Sequence, residues 1–103
     1  MNRAELSPKL VSEVKDYTFD FTSNLAVGET ISTQVVVATT YSGTDASPSS
    51  TVSGAATASG AVVTQEVTAG TEGVIYKLVC TITTSTGQTL EQAGYLAVIP
   101  DVV

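Results

Sequence analysis

Residues 73–99, GVIYKLVCTITTSTGQTLEQAGYLAVI, decide the fold. Strand pattern runs from Val74 through Thr83, stops at Ser85-Thr86-Gly87-Gln88 and resumes as far as Ile99, which is how a long β-hairpin is written. On the first arm Val74, Tyr76, Leu78, Cys80 and Ile82 share one face, opposite Ile75, Lys77, Val79, Thr81 and Thr83. Lys77 and the threonines assign the first set to the core. On the return arm Leu90, Gly94, Leu96 and Val98 have inward parity. Burying about eight apolar side chains of this kind contributes roughly 12–24 kcal/mol gross, before chain entropy is subtracted. Tyr76 follows a Gly-containing turn and precedes inward Leu78 by two residues, the place of a tyrosine corner whose hydroxyl bonds backbone at the turn.

The segments before the hairpin supply strands to pack against it. KDYTFDFT, from Lys15 to Thr22, alternates strictly and puts Tyr17, Phe19 and Phe21 on one face. After a turn at residues 23–28, ETISTQVVVATT forms a second strand to about Thr40; its consecutive Val35, Val36 and Val37 hide the parity and imply cover on both faces. Residues 41–50 are loop by composition, and the small-residue stretch that follows, to Gly60, reads as a poor edge strand. Ala61 to Thr68 is a better strand, with Val63 and Val67 on one face, and it turns at residues 69–73 into the hairpin. The expectation is all-β: an antiparallel immunoglobulin-like or fibronectin-like β-sandwich of six or seven strands over residues 15–103. Residues 1–14 read as an N-terminal arm, extended with at most one helical turn at Ser7-Pro8, too short to be stable alone.

A chain of 103 residues can hold one hydrophobic core. Hydrophobic residues are 43% of it but aromatics only 6%, with no Trp, so Val, Ala, Leu and Ile must fill the interior. The net charge of −6 is unevenly placed, because Arg3, Lys9 and Lys15 are three of the four basic residues. Beyond them Lys77 alone faces Asp20, Glu29, Asp45, Glu66, Glu72, Glu91 and Asp101, a distribution that repels phosphates and argues against a nucleic acid partner. The single Cys80 leaves no internal disulfide and favours folding in a reducing cytoplasm. No apolar run at the N-terminus resembles a signal peptide, and none reaches the roughly 18 residues of a membrane span, so no membrane partner is expected.

Catalytic and metal chemistry find little support. Asp16, Asp20, Glu66, Glu72 and Glu91 are oxygen donors, but the one turn that resembles a calcium loop, Gly43-Thr44-Asp45, holds a single carboxylate. Without His, and with one Cys, neither a zinc site nor a base for a nucleophile can be assembled. Gly70-Thr71-Glu72-Gly73 lacks the Lys and helix start of a phosphate loop and reads as a turn. No catalytic, cofactor or metal residue is assigned, and an enzyme is not expected. Interaction is the class that remains. The basic residues Arg3 and Lys9 of the arm, and Lys15 just after it, are candidate partner-binding groups, as are Thr51 and Val52 on the edge strand, which has no Lys to deter an added strand. An independent adhesion or carbohydrate-binding module is the alternative, with Tyr41 and Tyr95 as its exposed aromatics.

Lys15-Asp16-Tyr17 followed by Asp20-Phe21, then Gly28-Glu29-Thr30-Ile31, Gly70-Thr71-Glu72-Gly73 leading to Tyr76 and Leu78, and Ile82 to Gly87 with Glu91 in the return strand occur here in one order and spacing. In these the chain resembles the small Ig-like fibre-tail adaptor proteins of tailed bacteriophages, over about residues 15–98. The resemblance implies a structural virion protein of the neck or tail region, made in the host cytoplasm, that links fibres or neighbouring virion proteins. It further implies several copies in a symmetric ring and no cofactor. A capsid decoration protein is the alternative seat.

Overall fold

The computed structural model describes residues 4–100. Two antiparallel sheets face each other. The smaller is ordered β3 (Lys15–Asp20), β6 (Val62–Val67), β5 (Val52–Ser59). The larger runs β4 (Ile31–Ser42), β7 (Ile75–Thr84), β8 (Thr89–Ile99), and beyond β8 lie two short pieces, β1 (Ala4–Glu5) and β2 (Lys9–Leu10). In the immunoglobulin scheme β3-β6-β5 correspond to strands B, E and D, and β4-β7-β8 to C, F and G. The all-β sandwich expected from sequence is therefore present, with short 3₁₀ turns at Thr22–Asn24 and Pro48–Thr51.

The hairpin behaves as its pattern demands. β7 and β8 pair without a break from Ile75↔Ala97 to Thr83↔Thr89. At the tip Thr84 N–H donates to Gln88 O at 2.8 Å and Gly87 N–H to Thr84 O at 3.0 Å. Gly87 has φ +90, a left-handed conformation that closes such a loop without a Cβ clash. Tyr76, Leu78, Cys80 and Ile82 are fully buried, as are Leu96 and Val98 opposite them. From the other sheet Tyr17, Phe19 and Phe21 of the β3 segment, with Val63 and Val67 of β6, close the core. Cys80 is inert packing, its thiol pushed up to about 12 by burial.

Two expectations need revision. The triple valine of β4 is not covered on both faces: Val36 and Ala38 point inward, while Val35 and Val37 remain 51% and 50% exposed. Alternation holds in β4 after all, and the apolar outer residues of a surface strand disguised it. The second revision concerns the N-terminal segment, which is extended as expected but lies along β8 as a parallel edge strand. Ala4 pairs with Gly94 and Glu5 with Tyr95, then Lys9 with Val98 and Leu10 with Ile99. No helical turn starts at Ser7-Pro8; instead Ser7 O accepts the hydroxyl of buried Tyr17 at 2.8 Å, and the chain turns at Leu10–Glu13. Pro8 lacks an N–H and suits the break between β1 and β2.

Gly94 makes this docking possible. A Cβ at that position would lie 2.9 Å from both Cγ and Cδ1 of Leu6. Gly94→Ala therefore pushes Leu6 outward, with an expected loss of about 1–2 kcal/mol in urea unfolding. Amide exchange should rise first at Leu6, whose N–H donates to Tyr95 O at 3.0 Å.

Candidate partner-binding surfaces

The basic residues assigned to the arm have distinct places. Arg3 lies outside the described residues. Lys9 is fully buried, and its ammonium donates to Leu10 O at 2.7 Å, Glu13 O at 2.8 Å and Val11 O at 3.0 Å. It closes the Leu10–Glu13 turn from inside, where Leu10 N–H also donates to Glu13 Oε1 at 2.8 Å. Lys15 is half-buried: its Nζ stands 5.6 Å from the Tyr17 ring centroid and reaches Pro8 O at 3.3 Å and Ser7 Oγ at 3.4 Å. Lys15 thus fastens the N-terminal segment to β3, while Lys9 holds that segment's own turn together. Sequence reasoning misses this because a lysine in a short polar stretch carries no sign that carbonyls will encircle it.

On the edge of the smaller sheet Thr51 is fully buried, its hydroxyl donating to Pro48 O at 2.8 Å, and Val52 is half-buried at the start of β5. Farther along β5 the register breaks between Ser53 and Thr57, and Gly54 has φ +71. Buried Gln65 fills this bulge from β6, donating from Nε2 to Ser53 O at 3.0 Å and Gly54 O at 3.2 Å. An edge that reads as unprotected therefore has a bulge, a common device against strand addition.

Carboxylates organise both ends of the sandwich. At one end Glu29, 9% exposed, accepts the Ala26 N–H at 2.9 Å and the Thr86 hydroxyl, joining the β3–β4 turn to the hairpin tip. Hydroxyls of Thr84 and Thr86, then the Ala26 N–H, hold its carboxyl below the usual range. At the other end Tyr76 makes the corner expected of it, with Thr71 N–H donating to the Tyr76 oxygen at 2.8 Å. The Tyr76 hydroxyl in turn donates to Asp45 Oδ2 at 2.5 Å, and Ser47 N–H donates to Asp45 Oδ1 at 2.9 Å. These bonds, Tyr76 first, lower the Asp45 carboxyl as well. The Asp45-Ala46-Ser47 spacing is an Asx-turn signal, but nothing local indicates its reach to Tyr76.

Both ends can be tested by stability. Tyr76→Phe removes the donor to Asp45 and the acceptor of Thr71 N–H, and should cost about 1–2 kcal/mol by chemical denaturation. Because the folded protein lowers the Glu29 and Asp45 carboxyls, their contribution is fully present above the unfolded values near pH 4 and is lost as pH falls through the folded ones. The unfolding midpoint should thus hold level from neutrality to about pH 5 and fall in more acid solution. Glu29→Gln with Asp45→Asn should flatten that fall; an unchanged acid limb would show that other groups cause it.

The outer face of the larger sheet gathers apolar and aromatic groups. Cross-strand register aligns Val37, Val79 and Ala93, and beside them Val35 with Thr81. Tyr41 and Tyr95 meet edge to face with ring centroids 4.6 Å apart. Among the described residues no group of three or more acidic or Cys side chains is arranged to hold a metal ion.

A search of curated proteins gave no match. The profile of one family, described as Podophage GP4 fiber-tail adaptor protein gp77, matches residues 9–97, from the buried Lys9 through nearly all of β8. That span takes in the strands from β2 onward, the tyrosine corner and both carboxylate-tied ends, so the chain belongs to the Podophage GP4 fiber-tail adaptor protein gp77 family.

Proposed function

We propose that this protein is a non-enzymatic component of a podophage virion, an adaptor of the neck or tail region that joins fibres to neighbouring virion proteins. The observation that carries the reading is the family match over residues 9–97. The fold is suited to such a role, because a sandwich with both ends tied by part-buried hydrogen bonds offers fixed surfaces at low entropic cost of binding. Several copies in a ring would give each fibre an equivalent seat. Docking would use surfaces left outside the core, with Lys15 and Val52 contributing at the margins of the smaller sheet and Arg3 as a further candidate. Particles assembled without this chain should retain filled heads and lack fibres. Fibres attached at normal occupancy to such particles would rule the adaptor role out.

A second reading rests on Tyr41 and Tyr95, the two aromatics an adhesion or carbohydrate-binding module would use, which the fold brings into contact. Tyr41, 52% exposed, presents a ring against which a sugar could stack. Glycan-array binding that disappears in Tyr41→Ala would support this reading, and no binding would leave the adaptor role alone.

A further inference from the structure

Strand register lays out the outer face of the larger sheet in rows that cross β4, β7 and β8 in turn. Val35, Thr81 and Glu91 form one row, Val37, Val79 and Ala93 the next, and Thr39, Lys77 and Tyr95 the one after. Six large apolar side chains are exposed among the described residues, and four of them, Val35, Val37, Tyr41 and Ile99, lie on this side of the sheet. Exposed apolar groups gathered on one face mark a surface that something covers.

Charge says what covers it. β4, β7 and β8 together contain two charged residues, Lys77 and Glu91, and both are on this face. Lys77 is the one basic residue after Lys15, in a chain of net charge −6, so the face is neutral on an otherwise acidic protein. The two charges stand in the rows on either side of Val37, Val79 and Ala93, about 14 Å apart along the strands. An acidic partner would satisfy Lys77 and be repelled by Glu91, and a basic partner the reverse. A second copy satisfies both. Laid face to face and turned about a two-fold axis that crosses the strands at the central row, each Lys77 lies over the other copy's Thr81, one strand from its Glu91. Adjacent strands are about 4.8 Å apart, within reach of a lysine side chain. The reciprocal contact then follows from the axis, as an isologous interface demands. Between the two ion pairs the valines of both copies meet at the spacing of stacked sheets, about 10 Å.

We infer that the outer face of β4, β7 and β8 is a self-association surface, on which two copies of this chain stack with Lys77 of each paired to Glu91 of the other. This goes beyond the adaptor reading and does not rest on it, since association is a property of the isolated chain. Three strands over about ten residues present roughly 450–500 Å² in plan on each copy, which places the contact in the small, reversible class.

Sedimentation equilibrium of the full chain tests this. The mean mass should rise from the monomer value of 10.5 kDa at about 10 µM towards twice that value at about 500 µM. Lys77→Glu alone and Glu91→Lys alone should each remain monomeric at the higher concentration with an unchanged circular dichroism spectrum, because Lys77 is only half-buried and Glu91 is exposed. Glu91→Lys reduces the net negative charge, so its failure to associate would not be general repulsion. An equimolar mixture of the two variants should associate again, since each supplies the charge the other lacks. A wild type that is still monomeric at about 500 µM, single variants that associate as it does, or a mixture that stays monomeric would each overturn the inference.

Discussion

Deleting residues 1–10 should lower the stability of this protein by about 3–5 kcal/mol, against the 5–15 kcal/mol typical of a whole domain. The loss has several sources. Leu6 leaves its packing against the core and Gly94, the paired edge along β8 is opened, and the carbonyl of Ser7 no longer accepts the buried Tyr17 hydroxyl. With the segment gone that hydroxyl is open to water, so the loss is the net hydrogen bond, about 0.5–1.5 kcal/mol, and half-burial of a leucine contributes about 1 kcal/mol. Removal of Lys9 and its bonds to three carbonyls supplies the remainder. Urea unfolding of the truncated chain, followed by far-ultraviolet circular dichroism, measures the effect. A midpoint equal to that of the full chain would return the segment to the status of a dispensable arm. The result also bears on function, because a truncation that fails to enter particles would report unfolding as readily as lost docking. Circular dichroism of the truncated chain under the assembly conditions separates the two, since a folded spectrum leaves lost docking as the cause.

The second large effect is expected at Lys9. Lys9→Met keeps most of the aliphatic stem and removes the ammonium, leaving the carbonyls of Leu10, Val11 and Glu13 without their shared donor. Hydrogen bonds from a charged group contribute about 1.5–3 kcal/mol, and a buried acceptor left unpaired costs about 1–3 kcal/mol. Water can reach part of the turn, since Ser12 is exposed, so the expected cost is about 3 kcal/mol rather than the full sum. Thermal unfolding of Lys9→Met and Lys9→Arg distinguishes a charge-dependent role from stem packing. Equal stability of Met and wild type would mean that the ammonium is dispensable.

The core of the fold is legible in the sequence because strand periodicity acts over short distances. Alternation in KDYTFDFT and in the Gly73–Ile99 hairpin assigns the buried faces of β3, β7 and β8, and the turn before Tyr76 places it at its corner. What escapes depends on contacts between distant segments. Nothing near Lys9 says that it will be enclosed, and nothing near Gly94 says that Leu6, far away in sequence, will occupy the space its missing Cβ leaves. Gln65 is equally silent, since it satisfies carbonyls exposed by a bulge in another strand. The candidate surface shifts for the same reason. Lys9 and Thr51 are polar types in polar stretches, yet both are enclosed, whereas Val35 and Val37 read as core and lie outside.

The adaptor role stands or falls on the protein's place in the assembled particle. A cryo-electron microscopy map of the virion, at a resolution that separates β-sheets, should show this sandwich between the neck or tail and the fibre bases, repeated around the tail axis. Density for it on the capsid lattice, or its absence from fibre-bearing particles, would contradict the adaptor assignment.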